Sequence, residues 1–231
     1  MQPAKDVIMK LSQNTRQLPE LISFLSIRRS IGYLGICLPF LLILITGIFG
    51  CWQLLPSISQ YYYTVAGNVL VGVLCAVGLF LITYKGFSAL DDLLTNMAGI
   101  FAFGIALCPT GEHERNKCAV FSYPESDVRS LIHYGSAALF FITLASISFF
   151  LFTRSEGFKT PEKKIRNRIY RTSAALMIIF IALVPLIPLL VPHPKNLNAT
   201  FWLETGALIS FGISWLVKGE VLFKDNIHIK K

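Results

Sequence analysis

The chain has 231 residues, 54% of them hydrophobic and only 15% charged, and its apolar residues come in long runs rather than in alternation. A soluble domain is usually about 45–50% apolar with about 25% charged residues, so a water-soluble globule is excluded. The formal net charge of +8 resembles a nucleic-acid signal only until its members are placed along the chain.

Six runs are long and apolar enough to span a bilayer: 31–54, 66–84, 94–110, 132–153, 172–192 and 201–217. Crossing roughly 30 Å of hydrocarbon takes about 20 residues of helix. The third run is short and ends at Pro109, and the sixth carries Glu204 near its start. The expected fold is all-α, a six-transmembrane-helix bundle occupying 31–217. Residues 1–30 form a basic lead-in and 218–231 a basic tail. The lead-in is polar and lacks a cleavage site, so the first run reads as an uncleaved anchor. Of the 21 Lys and Arg residues, only Arg115, Lys117, Arg129 and Lys195 fall on one side of this topology. The side rich in Lys and Arg is cytoplasmic, which places both termini there. It also places Lys163 to Arg171 against anionic lipid headgroups. Membrane lipids, not nucleic acid, are the expected partners.

Along the chain, residues 1–30 read either as an interfacial helix, with Leu18, Leu21, Ile22 and Leu25 on one face, or as a loose lead-in. Pro39 is tolerable inside the first membrane helix. The connection from Pro56 to Thr64 gathers Ser57, Ser59, Gln60 and Tyr61 to Tyr63 at headgroup level without any charge. Gly72 and Ala76 give the second helix a smooth face. Asp91 and Asp92 suit the N-terminus of the third helix, and Asn96 is expected to bond a neighbour. Ala98, Ala102 and Ala106 recur every four residues, which marks this helix as central. Cys108 and Cys118, ten apart on the outer side, make a disulfide plausible, and Cys37, Cys51 and Cys75 read as buried thiols. Pro185 and Pro188, followed by Pro192 and Pro194, predict an irregular outer end for the fifth helix. Gly206, Ser210 and Ser214 form a packing stripe on the sixth.

Folding this topology onto the outer leaflet collects the candidate ligand-binding set: Ser57, Ser59, Tyr61, Tyr62, Asn68, His133, Ser136 and Glu204. An ionisable residue within a span is a functional hypothesis by default, and His133 and Glu204 are the strongest cases. A hydrogen bond between them would be a purely structural alternative. His113, His133 and His193, with Glu204, are also the right types for zinc, although no two lie three or four apart on one helix. No glycine phosphate loop, Gly-x-Ser-x-Gly elbow or Cys-x-x-Cys pair is present in the sequence, and catalytic residues cannot be assigned.

The run Ser57-Ile-Ser-Gln-Tyr-Tyr-Tyr-Thr64, the stretch Asn68 to Gly72, Pro109-Thr110, and His133 with Ser136-Ala137 resemble uncharacterised bacterial six-span integral membrane proteins. That resemblance implies the fold and a bacterial inner membrane. A looser similarity is to the superfamily of alkaline ceramidases and progestin-type receptors. Those have seven spans and a His-x-x-x-His pair, where this sequence has six spans and no such pair. The expected role is binding or handling a lipid or small amphiphile in an outer-facing polar pocket. The alternatives are a metal-dependent membrane lipid hydrolase, a small transporter, and a structural subunit of a homo-oligomer or membrane complex.

Overall fold

The computed structural model describes residues 2–86, 88–111, 116–154, 160–187 and 198–223, with side chains from Leu25 onward. Among the described residues six α-helices carry the fold: α1 (Gln2–Phe49), α2 (Gly67–Thr83), α3 (Ala89–Leu107), α4 (Asp127–Ser146), α5 (Pro161–Leu183) and α6 (Ala199–Lys218). Among the described residues there is no strand. Five segments among the described residues are long and apolar enough to cross a membrane: Leu25–Phe49, Ala89–Leu107, Asp127–Leu151, Pro161–Leu186 and Ala199–Lys218. The protein is a helical integral membrane protein. Helix α2 is apolar but has only 17 residues.

Local sequence explains most helix boundaries. Ser88 caps α3, its hydroxyl accepting from Asp91 N–H and donating to the Asp91 carboxylate at 2.8 Å. Thr160 caps α5 by accepting from Lys163 N–H at 3.1 Å, with Pro161 in the first turn; a hydroxyl cap followed by proline is a strong helix start. The basic stretch from Lys163 is therefore the opening of α5 rather than a loop. Helix α1 runs unbroken through Pro39 and back to Gln2, so the lead-in is continuous with the first span instead of forming a separate element. At its other end α1 stops at Phe49, before Gly50, and leaves 51–57 irregular. Helix α5 changes to 3-10 geometry at Val184–Leu186, where Pro185 removes a backbone donor.

Each helix packs on its neighbour in sequence, and α6 closes against α1, so the six surround a common centre. Closest approach occurs at glycine. A Cβ on Gly99 would lie 2.6 Å from the Gly78 carbonyl, and one on Gly212 would lie 2.6 Å from the Gly32 carbonyl. The predicted Gly72 face meets nothing within 4 Å. Ala98, Ala102 and Ala106 are buried, as is the Ser148–Ser214 hydrogen bond of 2.9 Å between α4's π-helical extension and α6. Asn96 departs from expectation, its Oδ1 being buried without a hydrogen-bond partner.

The two ends of the ring differ in chemistry. One end carries most of the cations: Arg28 donates to the Tyr84 hydroxyl at 2.9 Å, Arg154 pairs with buried Asp91 at 2.9 Å, and Lys218 lies over the Phe152 ring. The opposite end is closed by residues 51–66 together with residues 109–111 and 116–126, which form a cap.

A cavity beneath a braced cap

Residues Ile58–Tyr63 form a 3-10 helix that lies across the bundle and is bonded on several sides. Gln60 Nε2 donates to the Gly111 carbonyl at 2.8 Å, and Asn116 Nδ2 donates to the Gln60 carbonyl at 3.2 Å. The Tyr63 hydroxyl donates to the Thr110 carbonyl, and Val120 N–H donates to the Tyr63 carbonyl at 2.8 Å. Phe201 N–H donates to the Pro56 carbonyl at 2.9 Å and ties the cap to the start of α6. Buried polar backbone must find partners of this kind, and here two connections satisfy each other.

A disulfide joins Cys51 to Cys118, with Cα atoms 5.4 Å apart. This corrects the expected Cys108–Cys118 pairing. The connection after α3 crosses over to the end of α1, so Cys118 arrives beside Cys51. Cys108 stays at the C-cap of α3 as a free thiol. Nearness in sequence was a poor guide to nearness in space.

Below the cap lies a cavity of about 90 Å³. Its wall comes from every helix and from the cap: Leu38 of α1; Leu70, Val71 and Leu74 of α2; Ile105 and Ala106 of α3; His133, Ala137, Phe140 and Phe141 of α4; Ile181 of α5; Glu204 and Leu208 of α6; and Ile58, Ser59, Tyr62 and Pro109 above. Positions three, four and seven apart share a helix face, which is why α4 contributes 133, 137, 140 and 141. On α4 and α6 the polar residue stands one turn nearer the cap than the apolar one, about 6 Å for four residues. The polar members of the cavity therefore lie under the cap, and its floor is apolar.

Two polar side chains are held in fixed poses. Glu204 Oε2 accepts from Ile58 N–H at 2.6 Å, a short bond to a backbone donor of the cap. The Nδ1 of His133, a buried residue, lies 2.8 Å from the Cys108 carbonyl oxygen. A carbonyl can only accept, so Nδ1 carries the hydrogen, and in the neutral form of the ring Nε2 is the acceptor. No hydrogen bond joins His133 to Glu204 among the described residues, so the structural alternative for that pair is not realised.

The predicted site residues divide. Ser59, Tyr62, His133 and Glu204 line the cavity. Ser57 bonds Ser59 through its hydroxyl at 3.0 Å without reaching the wall. Tyr61 is buried in the core against Phe201, its hydroxyl near Leu55 N–H. Burial holds both the Tyr61 and the Tyr62 hydroxyl above the ordinary phenol range, so they remain neutral donors. Asn68 is exposed on the far face of α2 from Leu70 and Leu74. Ser136 packs against Gly104, where a Cβ would meet its Oγ at 2.3 Å, so it serves the α3–α4 contact. His113 and His193 lie outside the described residues. No cluster of three metal-ligating side chains occurs among the described residues.

Sequence reasoning missed the backbone groups that orient the site, Ile58 N–H and the Cys108 carbonyl, and the apolar wall. The wall had a legible signal in the spacing of His133, Ala137, Phe140 and Phe141. The backbone partners had none. These features define a helical integral membrane protein with a largely apolar cavity under a disulfide-braced cap. Comparison with protein-family models, curated proteins and solved structures finds no match to this chain, so the cavity itself must carry the functional reading.

Proposed function

We propose that the protein binds a small amphiphile, or one chain of a lipid, in the cavity beneath the cap. In this reading all six helices cross the membrane, α2 included, both termini are cytoplasmic and the cap faces outward. The concentration of Lys and Arg at the opposite end supports that orientation, and so does a disulfide in the cap, since such bonds persist in oxidising compartments. The observation that carries the reading is the cavity's polarity gradient: Ser59, Tyr62, His133 and Glu204 stand under the cap, above a floor of Leu38, Leu74, Phe140 and Leu208.

Size narrows the ligand. The cavity's 90 Å³ is smaller than the apolar cavity of about 150 Å³ that takes up benzene. It is also well below the roughly 300–1,000 Å³ of drug-sized pockets. A single short alkyl chain fits the space, and a whole diacyl lipid does not.

The test is binding of a straight-chain alcohol series, butanol to octanol, to purified protein in detergent, followed by ligand-observed NMR. Each methylene buried contributes about 0.8 kcal/mol, so affinity rises about fourfold per carbon until the floor is reached. Ala137→Leu, which adds volume inside the wall, weakens the longer alcohols first. Affinities that are flat along the series and unchanged in Ala137→Leu sink the proposal.

A further inference from the structure

Building on that reading, we propose that the amphiphile carries a cationic, hydrogen-bond-donating head, an alkylammonium group, with the Glu204 carboxylate as its counter-ion. Glu204 uses one oxygen to accept from Ile58 N–H. A carboxylate offers about four lone-pair sites on two oxygens, so acceptor capacity remains beyond the Ile58 bond. The neutral His133 ring, locked through Nδ1 to the Cys108 carbonyl, adds a second acceptor at Nε2. Both residues line the same cavity, and both lie toward its cap end.

Among the described residues the wall supplies nothing of opposite sign: its polar members are Ser59, Tyr62, His133 and Glu204, with no Lys or Arg. Among the described residues the salt bridges are Lys85–Asp92 and Arg154–Asp91, both at the other end of the bundle. A carboxyl placed against apolar walls either takes up a proton or stays ionised beside a partner of opposite charge. Its one backbone hydrogen bond supplies a dipole, not a charge. An ammonium head completes the arrangement: it has several donors, no acceptor, and a charge that neutralises the site. A carboxylate or phosphate head would instead face Glu204 with like charge and the His133 lone pair with another acceptor. Ser59 and Tyr62 hydroxyls can accept or donate, so they accommodate either head without deciding between them.

The experiment compares three probes with one tail, hexylammonium, hexanol and hexanoate, each titrated into the detergent-purified full chain at one ionic strength. Hexylammonium is expected to bind at least tenfold more tightly than hexanol, with hexanoate weakest. Glu204→Gln keeps an acceptor for Ile58 N–H but removes the charge, and the ammonium-to-hexanol ratio falls below about threefold. Hexanol binding equal to or tighter than hexylammonium overturns the cationic head while leaving the amphiphile reading standing. Failure of all three probes to bind overturns both. Should Glu204→Gln not fold, the wild-type ranking of the three heads decides the matter.

Discussion

Removing either half of the Cys51–Cys118 bridge should destabilise the protein by a calculable amount, with a pattern that distinguishes this bridge from any other. The half-cystines are 67 residues apart, and closing a loop of that length removes unfolded-chain entropy equivalent to about 4 kcal/mol at 25 °C. That figure is an upper bound here, because helices that persist in detergent already restrict the unfolded chain. The cap retains its other ties, including Gln60 to Gly111, Asn116 to Gln60 and Val120 to Tyr63. Each of these contributes roughly 1 kcal/mol, so the variants fold. Thermal unfolding in detergent would be compared for wild type, Cys51→Ser, Cys118→Ser, the double variant and Cys108→Ser. The two single variants and the double variant should lose the same stability, up to about 4 kcal/mol, because each removes one and the same bond. Cys108→Ser should retain the bridge, seen as a linked Cys51–Cys118 peptide after non-reducing digestion. A linked Cys108–Cys118 peptide, or single-variant losses that simply add, would refute this account of the cap.

Other expectations are simpler. Arg154→Ala removes the partner of Asp91, which is only 4% exposed. Because Arg154 itself is half-exposed, the loss should be about 1–3 kcal/mol, below the full 3–5 of a wholly buried pair. Lys85→Ala breaks the longer, exposed contact to Asp92 at 3.6 Å and should cost about 0–1 kcal/mol. Equal losses in those two unfolding experiments would contradict the burial difference. Gly99→Leu drives a side chain into the Gly78 backbone, whereas Gly72→Leu enters open space. The first should lower the unfolding temperature sharply and the second should leave it within a degree or two, and the reverse order would show the α2–α3 contact to be misplaced.

Much of the fold was legible in the residues themselves. Length and apolarity alone pick out the helices, because a bilayer admits few backbone structures that satisfy their own hydrogen bonds. The ends were less legible. Helix α5 begins with Thr160 and Pro161, well before its apolar run, since a cap and helix-permissive Lys and Arg extend it into the polar region. The lead-in likewise continues α1 because nothing in Arg28, Arg29 or Ser30 breaks a helix, and hydropathy cannot see that.

For the site, the sequence by itself determined that His133 and Glu204 are the unusual residues, because ionisable groups in apolar helices are rare whatever surrounds them. Tertiary structure decided everything about their company. Asn68 and Ser136 are small polar residues like Ser59, yet one is exposed and the other fills a helix contact opposite Gly104. Helix rotation, set by packing of the whole ring, made that choice. The bridge followed the same logic: which cysteine meets Cys118 depends on where residues 116–126 cross the bundle. Long-range contacts position these groups, and no local pattern of residues records them.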